Sequence, residues 1–108
     1  MITTHVLDTA LGVPAAGVEV TLDLRQGPAW TAIGHATTDA NGRIVSFSQT
    51  ELGSGTYRLT FATAAYHRRN GATPFFPEVV VTFDVHQRGH YHVPLLLSPY
   101  GFSTYRGA

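Results

Sequence analysis

Val18-Glu19-Val20-Thr21-Leu22-Asp23-Leu24-Arg25 alternates apolar and polar side chains without a break. A period of two places Val18, Val20, Leu22 and Leu24 on one face and Glu19, Thr21, Asp23 and Arg25 on the other, as in a strand with one buried face and one wet face. The same alternation extends outward in both directions, punctuated by Gly, Pro, Asn and Asp clusters. Upstream, Ile2 to Asp8 sets Thr3, His5 and Leu7 against Ile2, Thr4 and Val6, and the stretch from Gly12-Val13-Pro14 to Gly17 turns the chain. Downstream, Thr31 to Thr38 runs into Asp39-Ala40-Asn41-Gly42. The Asn-Gly pair suits a tight hairpin, so Arg43 to Phe47 is expected to return beside the preceding strand.

Beyond Gly53-Ser54-Gly55, Tyr57, Leu59 and Phe61 alternate with Arg58 and Thr60. Ala62 to Asn70 then breaks the pattern with a helix-compatible composition ending at Gly71, which predicts one short helix that depends on tertiary packing. Val79, Val81, Phe83 and Val85 share one face of the next run, and Gln87-Arg88-Gly89 leads into His90 to Leu97. Pro94 cannot donate to a ladder, so that last run is expected near an edge or locally irregular. Pro99-Tyr100-Gly101 makes a turn before a final short strand within Phe102 to Ala108. Seven or eight short strands with one short helix predict an all-β, two-sheet sandwich occupying residues 1–108 as a single domain.

Composition narrows the function. All seven basic residues are arginines and seven acidic residues balance them, so no clustered basic excess marks a nucleic-acid or anionic-membrane partner. No apolar run approaches the about 18 residues of a membrane span. The absence of cysteine excludes disulfides, thiolate metal sites and a cysteine nucleophile. No patterned space for a secretory signal precedes the first strand, so a cytoplasmic protein is expected. Nucleophile-elbow, phosphate-loop and dinucleotide fingerprints are also missing from the sequence.

Histidine is abundant, at six residues. His90 and His92 stand two apart in a strand and so face the same way, a spacing that metal sites also use, yet the sequence offers no recognisable set of further ligands; no metal and no cofactor is expected. His5 sits among apolar and threonine neighbours, where a strand histidine serves either structure or catalysis. Arg43 beside a turn is either a solvated arginine or an anion clamp. His35, His67, His86 and Arg68-Arg69 are read as surface residues. On the residues alone, a catalytic sandwich and a binding or adhesion module both remain open.

Four stretches carry a resemblance: Ile2-Thr3-Thr4-His5-Val6-Leu7-Asp8, Thr38-Asp39-Ala40-Asn41-Gly42-Arg43, His90-Tyr91-His92-Val93-Pro94-Leu95-Leu96-Leu97-Ser98-Pro99 and Tyr105-Arg106-Gly107. In this order and in a chain of this length they resemble the 5-hydroxyisourate hydrolase family, enzymes related to transthyretin. The resemblance implies a transthyretin-like sandwich assembled as a homotetramer with active sites at subunit interfaces. It also implies ring opening of 5-hydroxyisourate to 2-oxo-4-hydroxy-4-carboxy-5-ureidoimidazoline in urate degradation, with no cofactor. The family's site falls on His5, Arg43 and His92 as catalytic residues, with Tyr105 and Arg106 joining them in holding substrate. The family closes with Tyr-Arg-Gly-Ser, and Ala108 stands here in place of that serine. The alternative is a non-catalytic transthyretin-like carrier of a small aromatic ligand, although transthyretin lacks this histidine, arginine and terminal set.

Overall fold

The computed structural model describes residues 1–47 and 52–108. In it the run that decided the fold forms β3 (Glu19–Gln26), flanked by β4 (Ala29–Thr37) and β6 (Gly55–Phe61), with β7 (Val79–Val85) outside β6. All the contacts in this four-stranded sheet are antiparallel, and Leu22 lies opposite Leu59, which lies opposite Val81. The second sheet is built around β1 (Ile2–Asp8) in the order β10 (Gly101–Thr104), β9 (Leu95–Ser98), β1, β2 (Val13–Pro14), with β5 (Arg43–Ile44) and β8 (Tyr91–His92) also paired to β1. The two sheets enclose the core. Ile2, Val6, Ile44, Leu95 and Leu97 come from one side and Val20, Leu22, Tyr57, Leu59 and Phe61 from the other, all essentially buried.

The sandwich with one short helix is as expected, but the described residues hold ten strands rather than seven or eight. The surplus comes from two-residue pieces. Pro94 splits the run from Tyr91 to Ser98 into β8 and β9, both parallel to β1 in one continuous register, Thr3 with His92 and Val6 with Leu95. The missing amide of Pro94 thus gives the expected local irregularity without shifting the strand. The helix α1 (Thr63–Arg69) begins without a side-chain cap and ends with His67, Arg68 and Arg69 in its last turn, where cations suit the helix dipole.

Two expectations are corrected. His67 is buried, not on the surface: Thr63, Tyr66 and His67 recur at helical spacing on the face that packs on the sandwich, and the Tyr66 hydroxyl donates to buried Asp8 at 2.8 Å. Burial and the Asp8 carboxylate push the Tyr66 phenol up to about 12. The Asn41-Gly42 turn forms, yet it is not a hairpin, because the strand that leaves it pairs with β1 rather than β4. Asp39 Oδ1 accepts from the Asn41 and Arg43 amides at 2.9 and 3.0 Å, and the buried Thr38 hydroxyl donates to the Ala15 carbonyl. These bonds carry the chain across the end of the sandwich, from one sheet to the other.

Gly42 is what that crossing requires. Its φ is +75°, its carbonyl accepts from the Val6 amide at 2.7 Å, and a Cβ there would collide with the Val6 carbonyl oxygen. Gly42→Ala is therefore expected to destabilise by about 2 kcal/mol or more, from left-handed backbone strain and overpacking together. That corresponds to a fall in Tm of roughly 10 °C for a domain of this size. Thermal unfolding checks it, and an unchanged Tm would show that the turn relaxes without loss.

Candidate active site

Period two fixes the face. The inward residues of β1 are Ile2, Thr4 and Val6, so Thr3 and His5 point outward from the six-stranded sheet. Tyr91 and Val93 are likewise core residues, which turns His90 and His92 to the outer side, and Ile44 inside leaves Arg43 outside. Register then assembles the row: His92 lies opposite Thr3 on one flank of β1, and Arg43 lies opposite His5 on the other. Three of the five expected site residues, His5, Arg43 and His92, thus share one face around a single central strand.

Both imidazoles of the row are held, and Arg43 is held at its backbone. His5 Nε2 donates to the Asn41 carbonyl at 2.9 Å, and because a carbonyl only accepts, that nitrogen carries the proton and Nδ1 is the free one in the neutral ring. The Thr3 hydroxyl meets His90 Nε2 at 2.7 Å and His92 Nδ1 at 2.8 Å, with the two imidazole centroids 6.1 Å apart. The Arg43 amide bond to Asp39 fixes the base of the arginine. That bond, opposed in part by desolvation and supported by the Asn41 amide and by the charges of Arg43 and His5, holds the Asp39 carboxyl below its ordinary range. Burial, and then the positive charges of His90, Arg43 and His5, hold His92 below the ordinary histidine value.

Thr3 and His90 were not among the expected site residues. Thr3 shares a strand face with His5 and His90 shares one with His92, which is the only sequence signal either carries. Among the described residues no three His, Asp or Glu side chains gather closely enough to hold a metal ion.

Tyr105 and Arg106 are placed elsewhere within the single chain. They line a cavity of about 250 Å³ between the sheets, together with Val81, Phe83, Tyr91 and Val93. The Arg106 guanidinium lies over the Tyr91 ring, 4.4 Å from its centroid, on the core side of the strand whose outer side carries His92. The terminal segment nevertheless reaches His92 through its backbone. The Gly107 amide donates to the His92 carbonyl at 2.8 Å, and a Cβ on Gly107 would come within 2.5 Å of His92 Cδ2.

The chain that carries this row has known relatives. The sequence profile of the HIUase/Transthyretin family matches residues 2–107. The chain is 42% identical over 110 residues to the 5-hydroxyisourate hydrolase of Salmonella typhimurium, covering all of this chain and 81% of that protein. Among solved structures it is similar to the 5-hydroxyisourate hydrolase of Klebsiella pneumoniae, with a TM-score of 0.89 and 38% identity over 99% of this chain and 98% of that one. It is also similar to sea bream transthyretin in complex with thyroxine, with a TM-score of 0.93 and 34% identity over 98% of this chain and 93% of that one. Fold alone therefore does not separate an enzyme from a hormone carrier, but the profile match across nearly the whole sequence and these identities leave the lineage in no doubt: the chain belongs to the HIUase/Transthyretin family.

Proposed function

We propose that this protein hydrolyses 5-hydroxyisourate to 2-oxo-4-hydroxy-4-carboxy-5-ureidoimidazoline in urate degradation. The observation that carries the reading is the outward row of His5, Arg43 and His92, in a chain whose similar relatives include hydrolases of this substrate. Opening the ring needs a water deprotonated as it adds to the acyl carbon, a carbonyl oxygen stabilised as it gains charge, and a proton for the nitrogen released when the C–N bond breaks. His92, kept neutral by burial and positive neighbours, takes the proton from water. The proton then passes from His92 to the departing nitrogen as the C–N bond breaks, while His5, whose Nε2–H is held by the Asn41 carbonyl, offers its Nδ1 lone pair to orient the water. The planar guanidinium fork of Arg43 suits adjacent oxygens of a flat heterocycle, so it clamps substrate and stabilises the oxyanion.

Tyr105 and Arg106 complete the substrate contacts when subunits assemble into a homotetramer with sites between them. Among the described residues the outer edges of β7 and β10 are unpaired, and Val81 and Phe83 on β7 are only half-buried, which supports such an assembly.

The test is to generate 5-hydroxyisourate in place with urate oxidase and follow its absorbance with and without this protein, chelator present in both. Accelerated, chelator-insensitive decay is the expected result. Decay at the spontaneous rate, with binding of an aromatic ligand, would replace the enzyme by the carrier.

The pH profile gives a second check. The acid limb of kcat/KM reports the base of the free enzyme, which must be unprotonated to act. A lowered His92 pKa keeps that base active below the ordinary value of about 6.5, so activity is lost only as pH falls through the lowered value. Arg43→Gln removes one of the charges holding it down and is expected to move the limb upward. A limb at or above about pH 7 in the unaltered protein would remove His92 from the role of base.

A further inference from the structure

The contact that the proposed mechanism leaves unused is the Thr3 hydroxyl, buried between two imidazoles and within hydrogen-bond distance of both. A hydroxyl has one proton to give and lone pairs to receive, so a chain running through it couples the tautomers of the two rings. If His92 Nδ1–H donates to Thr3 and Thr3 donates to His90 Nε2, then His92 keeps its lone pair at Nε2. If the chain runs the other way, Nε2 of His92 carries a hydrogen and cannot accept one.

His92 has little other freedom. Its Nδ1 is committed to Thr3 and its Cδ2 edge stands against Gly107, so among the described residues Nε2 is the ring nitrogen with no partner in the chain. The hydrolase reading selects between the two directions. With Nδ1 held by Thr3, His92 can take a proton from water only at Nε2, so a working base needs the lone pair there and the hydrogen at Nδ1.

Resting on the hydrolase reading, we infer that Thr3 is a positioning residue of the reaction: its hydroxyl accepts from His92 Nδ1–H and donates to His90 Nε2, and so presents the His92 Nε2 lone pair to the attacking water. When Nε2 takes the water proton, the resulting imidazolium still donates from Nδ1 to Thr3, and Thr3 still donates to His90. No hydrogen bond in the chain has to reverse as charge develops, which is the preorganisation that efficient proton transfer requires. His90 acts through Thr3 and need not touch substrate.

The experiment reads the tautomer directly, by long-range ¹H–¹⁵N NMR of the histidine rings at a pH where His92 is neutral, alongside turnover. The full-length protein and Thr3→Ser, which keeps the hydroxyl, are expected to show His92 protonated at Nδ1. Thr3→Val, which keeps the shape and removes the hydroxyl, is expected to shift His92 toward Nε2–H. It should lower kcat by about 10- to 100-fold, the range for partners that orient a working imidazole, with KM within about twofold. Because a buried valine can also disturb folding, exposed His90→Leu provides a second arm, with the same tautomer shift and a smaller loss of kcat. His92 carrying Nε2–H in the unaltered protein, or a Thr3→Val protein that folds and keeps full kcat, would overturn the inference. Failure of the hydrolase reading is distinguishable, since it removes turnover from every variant and leaves the NMR result standing.

Discussion

His92→Asn is expected to lower kcat by about 10² to 10⁴, the contribution of a positioned general base, while Tm changes little. Asparagine keeps a polar group near Thr3 but has no basic nitrogen, so it can hold the strand together without taking a proton from water. The fold should tolerate the change because His92 is a half-buried residue on the outer face of the sheet, outside the apolar core. His5→Asn is expected to fall in the same range, since Nε2 is held by Asn41 and, among the described residues, Nδ1 has no partner and is the nitrogen left for the water. Steady-state kinetics with in situ substrate, paired with thermal unfolding, separates the two quantities. A variant that retained full turnover would release that histidine from the mechanism, and a large fall in Tm would show that the residue serves the fold instead.

Gly107→Ala is expected to produce the second largest loss, about 10² in kcat, through geometry rather than chemistry. The added methyl would meet the His92 ring at 2.5 Å, too close for any carbon pair, so either the imidazole rotates or the segment from Tyr105 onward lifts from β8. A displacement of about 1 Å at a reacting group is enough for a loss of that size. Core packing is untouched, because Gly107 contacts β8 through one backbone bridge. Kinetics and the His92 ring shifts in NMR should move together. Full activity in a folded Gly107→Ala protein would mean that the tail and the imidazole are not mechanically linked.

Much of the fold was legible because a strand's face is a local property. Alternation in β3 and β7 gives the inward faces, with Leu24, Val81 and Phe83 only half-buried there and Asp23 buried on the opposite face against Arg58, and the same rule puts Thr3 with His5 and His90 with His92 before any pairing is known. Composition locates the helix but not its buried side, because burial of His67 is a property of the face it shares with Thr63 and Tyr66 and not of the residue alone. The chemistry of Asn41-Gly42 specifies the turn but not its destination. A turn signal specifies backbone angles, whereas the strand beside which the chain emerges depends on what Gly42 packs against, here the backbone at Val6.

The site divides along the same line. Its residue types and approximate places came from four short motifs and their resemblance to a family, together with a composition that offers no cysteine nucleophile. By itself the sequence determined a two-sheet β-sandwich, its core faces, and His5, Arg43 and His92 as the residues to watch. Only the tertiary structure decided that His92 sits across from Thr3, 89 residues away, and that Arg43 sits across from His5. It also placed Arg106 on the core side, over Tyr91, while Gly107 returned to His92. The physical reason is that period two specifies which way a side chain points but carries no record of its neighbour, and hydrogen-bond chemistry depends on neighbours to within tenths of an ångström.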